Sequence, residues 1–463
     1  MKFKQIIKQT LFPADDFQKA VRGYNLSRNP QTWDTICQAP FTNMYIGHHG
    51  VITACCYNTT QTLGVWPFKT LTEIWWGAKA EKFRKALQNY DLSHGCDICY
   101  RQLMARNYDA LKAGQFNQNK ANQNGFPSSI EFELDNKCNL GCTMCNENFS
   151  SVIAHNKGLK AYHTPYDEGF IEQLKPFIPY LQDAKFYGGE PFMIKIYYEI
   201  WEMIQQVNPP CRINIQTNGT IMNKRVEKLL EKPFIHFNIS IDSLKKEVYE
   251  SIRVGAEYEV TMRNFNHFLE YSRKHRTHLG ISSCMMQNTV REAPDFIRFC
   301  NERDIQIYFH TVVQPEEMSI KNMSKTELQS ILRYLKEQKF DPKTVTQKGN
   351  VHHYGDFVKQ VAYWLSQKNV QEKNPSIKPV KNWEEFFQRI TEACISVYGE
   401  ESGIKKAKQF KIRIDSLINS GVITHEERVF EQVKYEDLSS SIHRIVDLSV
   451  EELKRMYQSS VTG

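Results

Sequence analysis

Between residues 128 and 313, short β-rich runs alternate with longer stretches of helical spacing, and this alternation constrains the fold most. The predicted strands cover residues 129–134, 184–187, 212–216, 235–241, 278–286 and 305–313. Strands that alternate with helices indicate βα units and a parallel sheet. Because a closed eight-unit barrel usually takes about 250 residues, this shorter region predicts an α/β fold with an open, partial (βα)6 TIM barrel.

The regions on either side of this barrel, which we place at residues 128–318, differ from it in composition. Residues 1–112 are rich in cysteine, and residues 113–127 form a polar, amide-rich stretch that we interpret as a linker. After the barrel the strand signal disappears. Helical spacing recurs at residues 351–365, 383–395 and 404–418. This pattern predicts a mostly α-helical C-terminal region, residues 319–463.

The charge of the chain is mild, since 59 Lys and Arg against 52 Asp and Glu give a formal net charge of +7. A basic run at residues 405–413 is typical of a solvated helix face, with nucleic-acid contact as the minority interpretation. At the N-terminus, Lys4 and Lys8 interrupt any apolar core of signal-peptide length, and no stretch reaches the roughly 18 apolar residues of a membrane span. We therefore expect a cytoplasmic protein that has no membrane partner and few disulfides.

Three of the twelve cysteines follow the first predicted barrel strand directly. Cys138, Cys142 and Cys145 have the spacing C-x3-C-x2-C. Three such thiolates can hold three irons of a 4Fe–4S cluster and leave the fourth iron open to a small molecule. A structural zinc site normally takes four protein ligands. Zinc with a distant fourth ligand, or three inert thiols, remain the alternatives.

Other polar residues come just past the remaining strand ends, where ligand sites of parallel α/β sheets lie. These positions are Gly188, Gly189, Glu190, Thr217, Asn218, Asp242, Gln287 and Asn288, with His310 near the end of the sixth strand. Each also has an ordinary structural reading: a turn for the glycines and Asn218, a helix N-cap for Asp242, and a satisfied core histidine for His310. Because all of these residues follow strand ends at one edge of the predicted sheet, the pattern favours a common site.

A second group of thiols lies in the N-terminal region. Cys37, Cys55, Cys96 and Cys99 make a full ligand set for one iron–sulfur cluster or one zinc ion. Cys56 could replace Cys55, but we favour Cys55 because Gly50 stands five positions before it. Nearby, Leu71, Ile74 and Trp75 have the spacing of a helix that packs into the core of this region.

The cysteine triad, with Asn139, Leu140 and Met144, resembles the signature of radical S-adenosylmethionine (radical SAM) enzymes, although that family usually has an aromatic residue where Met144 stands. Residues 187–191, 217–220, 240–243 and 251–255 resemble further motifs of that family in the same order. The resemblance implies that the glycine-rich motif and Glu190 meet the amino group of S-adenosylmethionine, and that Arg253 meets its carboxylate. The implied cofactor-binding residues are Gly188, Gly189, Glu190, Asn218, Ser240, Asp242 and Arg253.

The N-terminal cysteines, with Gly50 before Cys55, resemble a SPASM/twitch module, which holds auxiliary 4Fe–4S clusters. Such a module usually follows the barrel, whereas this one precedes it and supplies ligands for one cluster. The resemblance thus implies two 4Fe–4S clusters, one held by three cysteines and one by four.

The family resemblance also implies a reaction. S-adenosylmethionine is cleaved reductively at the cluster with an open iron, and the resulting 5′-deoxyadenosyl radical abstracts hydrogen from a substrate. We expect a peptide or protein side chain as that substrate, with a small metabolite as the alternative, and an external electron donor such as flavodoxin or ferredoxin. A third hypothesis is a zinc-stabilised nucleic-acid-binding protein without catalysis. The sequence does not indicate which residue acts as a catalytic acid or base.

Overall fold

One nine-stranded sheet runs through the first part of the chain in the computed structural model. The structure describes residues 16–58, 60–108, 111–119, 121–373 and 382–423, with residues 446, 449, 450 and 453. The strands are β1 Asn43–Ile46, β2 Val51–Thr53, β3 Gly64–Val65, β4 Ser129–Phe132, β5 Asp183–Phe186, β6 Arg212–Thr217, β7 Ile235–Ser240, β8 Leu279–Met285 and β9 Gln306–Thr311. Their spatial order is β3-β2-β1-β4-β5-β6-β7-β8-β9.

The six predicted barrel strands correspond to β4 through β9, and each pairs in parallel with the next. The predicted α/β class and partial barrel are therefore confirmed. In β7, Ile235, Phe237 and Ile239 are fully buried, while the residues between them are half-buried. This period of two gives each strand one face toward the surrounding helices and one toward the interior of the barrel.

The strands of the cysteine-rich N-terminal region extend the same sheet. Strand β1 pairs in parallel with β4, and β2 and β3 continue outward in antiparallel pairs. The predicted linker is also packed: Ala113 and Phe116, in a short 3-10 helix Lys112–Phe116, are buried in the main core. The domain boundaries at residues 112 and 127 stay predictions, but the described chain is continuous structure across them.

Helices cover the sheet and connect its strands. They are α1 Asp16–Leu26, α2 Ala39–Thr42, α3 Leu71–Trp75, α4 Ala78–Gln88, α5 Asp97–Met104, α6 Ser151–Asn156, α7 Glu168–Leu174, α8 Lys195–Val207, α9 Lys224–Leu229, α10 Lys246–Ile252, α11 Tyr258–His275, α12 Ala293–Arg303, α13 Lys325–Glu337 and α14 Val345–Lys373. A capping box between Thr70 and Glu73 starts α3. This helix buries Leu71, Ile74 and Trp75, as their spacing predicts.

The chain divides into two compact units between Ser366 and Gln367. In the second unit, α15 Trp383–Tyr398 and α16 Glu400–Asn419 form a hairpin with a core of its own, which includes Ile390 and Phe410. The basic run 405–413 lies on α16 with lysines exposed between buried apolar residues, so it is a solvated face of an amphipathic helix. The predicted helices are confirmed within the described residues. None of the described helices combines the length and apolarity that crossing a bilayer requires.

Candidate active site

The three cysteines of the triad lie in the loop that follows β4, and all three thiols are half-buried. Burial, with smaller contributions from the charges of Glu190, Cys142 and Cys145, raises the pKa of Cys138 to about 12. Burial, followed by the charge of Cys142, raises the pKa of Cys145 to about 11. The fold therefore gathers the three thiols in one sheltered place, where they ionise readily only with a metal beside them.

The loop that carries these cysteines is held by hydrogen bonds at several points. The N–H groups of Gly141 and Thr143 donate to the carbonyls of Val254 and Ile252, at 2.9 Å each. The N–H of Cys138 donates to the Ser151 hydroxyl at 3.1 Å. The loop thus pairs with the segment that contains Arg253, far along the chain, and these hydrogen bonds hold its shape.

The glycine-rich motif packs against the chain that enters the cysteine loop. Gly188 and Gly189 have φ values of +79° and +33°. A Cβ atom on Gly189 would lie 2.0 Å from the carbonyl oxygen of Lys137, and the N–H of Glu190 donates to that same oxygen at 2.6 Å. Only glycine permits this approach at residue 189, so the motif fixes the cysteine loop relative to β5.

Glu190 is fully buried and ties the ends of β5 and β6 together. Its carboxylate accepts hydrogen bonds from the Thr217 hydroxyl and the Asn218 N–H, each at 2.8 Å, and from the Phe192 N–H at 3.1 Å. Burial raises the pKa of Glu190 to about 7, although these hydrogen bonds oppose the rise. Its predicted contact with the cofactor amino group stays a prediction.

Asn218 and Ser240 also bond to protein partners. The Asn218 amide donates to the Asn139 side chain at 2.9 Å, which links the cysteine loop to the end of β6. Ser240 accepts a hydrogen bond from Gln216 at 2.7 Å on the barrel interior. Both therefore lie at the predicted edge of the sheet, and their roles toward the cofactor stay predictions.

Asp242 and Arg253 form a buried ion pair beside the triad. Arg253 Nε lies 2.8 Å from Asp242 Oδ2, and the two side chains are 7% and 0% exposed. The N–H of Cys284 donates to the other Asp242 oxygen at 2.8 Å. Burial alone would lower the pKa of Arg253, but the charges of Asp242 and Cys142 raise it overall. Arg253 is thus a permanent interior cation near Cys142.

The four N-terminal thiols also lie together. Burial raises the pKa values of Cys37 and Cys96, and the charges of Cys99 and Cys55 raise both further. The Ala39 N–H donates to the sulfur of Cys37 at 3.4 Å, and Asn58 Nδ2 lies 3.6 Å from the sulfur of Cys96. Such N–H groups stabilise anionic sulfur.

Cys56 is a neighbour of this set rather than a clear member. Burial raises its pKa to about 11, and its next electrostatic partners are Lys112 and Glu131, followed by Cys55. Cys55 and Cys56 both interact with Cys99, but Cys55 also acts on Cys37 and Cys96. Cys55 as the fourth ligand stays a prediction.

The donor sets fit iron–sulfur clusters. All twelve cysteines lie in the described part of the chain and are free thiols. Among the described residues, no three His, Cys, Asp or Glu side chains stand close enough to share one metal ion. A 4Fe–4S cube is wider than a single ion, and sheltered thiols with N–H donors are its usual ligands. Cys138, Cys142 and Cys145 would hold one cluster, and Cys37, Cys55, Cys96 and Cys99 the other.

Tyr45, Glu131 and Glu133 lie near this site and were not singled out from the sequence. The Tyr45 hydroxyl, on β1, donates a hydrogen bond to the Glu133 carboxylate, just past β4. Burial raises the pKa of Glu133 to about 7, and a Cβ atom on Gly188 would lie 3.1 Å from Glu133 Cγ. Glu131 and Glu133 alternate with buried apolar residues, and this alternation was the available signal that both face the interior.

His310 and Gln287, the remaining residues predicted near strand ends, have different surroundings. His310, in register with Cys284, is surrounded by protein yet reaches solvent, as a side chain lining an open mouth does. Burial lowers the pKa of His310, and the charge of Lys112 adds to this effect. Gln287 instead donates to the Ser319 carbonyl at 3.0 Å, which fixes the chain after β9.

Two family models match the chain. The model of the Radical SAM superfamily matches residues 133–300, and the SPASM model, an iron-sulfur cluster-binding domain, matches residues 37–100. The chain therefore contains a SPASM domain followed by a radical SAM domain, the domain set of a radical SAM enzyme, and the predicted resemblance is confirmed. These domains imply 4Fe–4S clusters and S-adenosylmethionine as cofactors.

Curated relatives are named for a nucleotide reaction. The "Probable GTP 3′,8-cyclase" of Methanocaldococcus jannaschii is 27% identical over 174 residues, which cover 38% of this chain and 55% of that protein. The GTP 3′,8-cyclase of Clostridium perfringens strain 13 is 24% identical over 224 residues, or 48% of this chain and 66% of the relative. The chain thus spans little more than half the length of the first of these relatives.

Solved structures with partial similarity to this chain include two that contain a bound ligand or peptide. The structure of anSMEcpe with bound AdoMet has a TM-score of 0.35 and 20% identity, covering 45% of this chain and 58% of that one. SuiB of Streptococcus suis, bound to precursor peptide SuiA, has a TM-score of 0.34 and 16% identity, covering 56% of this chain and 58% of SuiB.

Proposed function

We propose that this chain is an enzyme that cleaves S-adenosylmethionine reductively and abstracts hydrogen from a substrate bound in the mouth of the partial barrel. The observation that carries this proposal is the hydrogen-bonded loop of Cys138, Cys142 and Cys145, in which three sheltered thiols lie close together after strand β4. A cluster bound there would supply the electron for carbon–sulfur cleavage, which yields methionine and a 5′-deoxyadenosyl radical.

The residues around the loop have binding and orienting roles in this proposal. Gly188 and Gly189 bring backbone groups close to the cysteine loop, and Glu190 holds the neighbouring strand ends in place. The Asp242–Arg253 pair places a buried cation beside Cys142, which suits an anionic ligand. Glu133, whose pKa is raised to about 7 by burial, is suited to accept or return a proton near neutral pH.

We propose a peptide or protein side chain as the substrate, in keeping with the SPASM-type module, and an external flavodoxin or ferredoxin as the electron donor. A nucleotide is the second candidate, because the curated relatives are named GTP 3′,8-cyclases. With twelve free cysteines, we also propose that the chain works in the reducing cytoplasm.

Anaerobic reconstitution with iron and sulfide tests the proposed chemistry. We expect about eight irons per chain, as two 4Fe–4S clusters require, and release of 5′-deoxyadenosine on reduction with S-adenosylmethionine. The variant Cys142→Ala should lose 5′-deoxyadenosine formation while keeping the absorbance of the N-terminal cluster. Zinc content without iron, or cofactor cleavage that persists in Cys142→Ala, would overturn the proposal; the zinc result would favour the nucleic-acid-binding alternative.

The two substrate candidates are separated by a direct comparison. Reconstituted enzyme is incubated with reductant and S-adenosylmethionine, and either GTP or a set of short peptides, and 5′-deoxyadenosine and substrate masses are followed. A mass change in a peptide supports the first candidate. Conversion of GTP, with peptides unchanged, would replace it with the second.

A further inference from the structure

We propose that Lys112 is a positioning residue that raises the reduction potential of the auxiliary cluster and links that cluster electrostatically to the barrel interior. This inference rests on the proposed function, since it requires a cluster on Cys37, Cys55, Cys96 and Cys99. It concerns a residue that no sequence motif indicates, at the boundary between the N-terminal cysteines and the barrel.

The backbone around Lys112 is rigidly placed against the cysteine site. Lys112 begins the 3-10 helix Lys112–Phe116, and its neighbours Leu111, Ala113 and Phe116 are 3%, 2% and 1% exposed. The backbone N–H groups of Ala113 and Lys112 lower the pKa of the Cys99 thiol, so both lie close to its sulfur. Because apolar anchors fix this short helix on both sides, the Lys112 side chain starts from a fixed point beside a ligand of the cluster.

The ammonium group of Lys112 stays on the same side as the cysteines. Its Nζ lies 5.0 Å from the centre of the Tyr57 ring, a cation–π contact with a residue two positions after Cys55. Its electrostatic partners are Cys56, Glu131, Tyr57 and Cys55. Its charge also acts on His310, on strand β9. Lys112 therefore interacts both with the N-terminal thiols and with residues of the barrel strands.

Among the described residues, Glu131 is the carboxylate that acts most strongly on this cation, and it is shared with a second lysine. Glu131 is 1% exposed, and neither of its oxygens has a hydrogen bond of ordinary geometry. Lys185 Nζ lies 3.7 Å from Glu131 Oε1, and the two residues are paired in register across β4 and β5. Because Glu131 is shared with Lys185, it does not neutralise Lys112 alone, and the Lys112 ammonium brings a positive charge close to the thiols.

A positive charge near the cluster should favour its reduced form. Reduction adds one negative charge to the cluster, and interactions between charges are stronger in the protein interior than in water. The potentials of iron–sulfur clusters respond to nearby charge and to hydrogen bonds on the sulfurs. Removing the ammonium should lower the potential, whereas removing the Glu131 charge should raise it.

The test is a redox titration of the auxiliary cluster, followed by electron paramagnetic resonance, in the full-length Cys142→Ala chain. Lys112→Met should lower the midpoint potential, Lys112→Arg should leave it near that of the parent, and Glu131→Gln should raise it. Lys85→Met is the matched control, since Lys85 lies on the exposed face of α4 with Glu81. It should leave the potential unchanged.

Two results would overturn the proposal. One is an unchanged potential in Lys112→Met with the cluster fully assembled. The other is an equal fall in Lys112→Arg and Lys112→Met, which would assign the effect to packing rather than charge. If Lys112→Met does not assemble its cluster, the sign of the shift in Glu131→Gln decides, and a fall there counts against the proposal. Absence of iron from the Cys142→Ala parent would remove the auxiliary cluster itself, and that failure is visible before any titration.

Discussion

At the scale of single residues, Glu133 combines burial with a position at the mouth of the barrel. Its pKa is raised from the ordinary value of 4.5 to about 7 by burial, so the folded protein binds a proton there that the unfolded chain has already released. Stability contributed by the protonated form is therefore lost as the pH rises from about 4.5 through about 7. Above that range, the charged carboxylate destabilises the folded protein.

Replacing Glu133 with Gln should remove this cost while keeping an acceptor for the Tyr45 hydroxyl. We expect Glu133→Gln to be more stable than the wild type by about 1–3 kcal/mol near pH 8, and equal to it near pH 4.5. Urea unfolding at the two pH values measures this difference. A variant less stable at both would show that Glu133 contributes through packing instead.

Gly189 has a positive φ and also lies directly against the backbone of Lys137. In Gly189→Ala the new methyl group would meet the Lys137 carbonyl, so the cysteine loop must move. We expect at least a tenfold loss of 5′-deoxyadenosine formation and reduced iron at the triad. Gly158→Ala is the matched control, because Gly158 also has a positive φ, +68°, but open space around its Cβ position. Equal losses in both variants would contradict this account.

At the scale of secondary structure elements, strand β1 joins the cysteine-rich region to the barrel. Its parallel register runs from Asn43 opposite Ser129 to Ile46 opposite Phe132, so β1 covers the edge of β4. A chain that starts at residue 128 would expose that edge and the apolar residues of β4, which are fully buried. We expect this fragment to aggregate on expression. A soluble monomeric fragment with native circular dichroism would show that the barrel folds without β1.

Local pattern predicted β4 to β9 because each strand shows its alternation within a few residues. Strands β2 and β3 are only three and two residues long, too short for any period to appear. Strand β1 carries little pattern of its own and is defined by its pairing with a strand more than eighty residues later. Pairing over such a distance depends on the assembled sheet and not on local spacing.

At the scale of the whole molecule, metal binding and folding should be linked in the N-terminal region. Cys99 is half-buried, and the backbone N–H groups of Ala113 and Lys112 lower the pKa of its thiol. We expect Cys99→Ala to halve the iron content, to about four per chain, and to lower the thermal stability of the reconstituted protein. Iron analysis with differential scanning calorimetry measures both. Without iron, the same substitution should have a much smaller effect, and an equal effect with and without iron would contradict the linkage.

The sequence alone determined the βα order, the ligand spacing of the triad and the amphipathic helices, because these depend on residues close together in the chain. Only the tertiary structure decided which distant groups meet. Tyr45 bonds to Glu133 across 88 positions, and Lys112 reaches both the thiols and Glu131. It also decided that Arg253 is a buried partner of Asp242. Such contacts arise from sheet register and loop packing, whose energies involve many residues at once, and no local period encodes them.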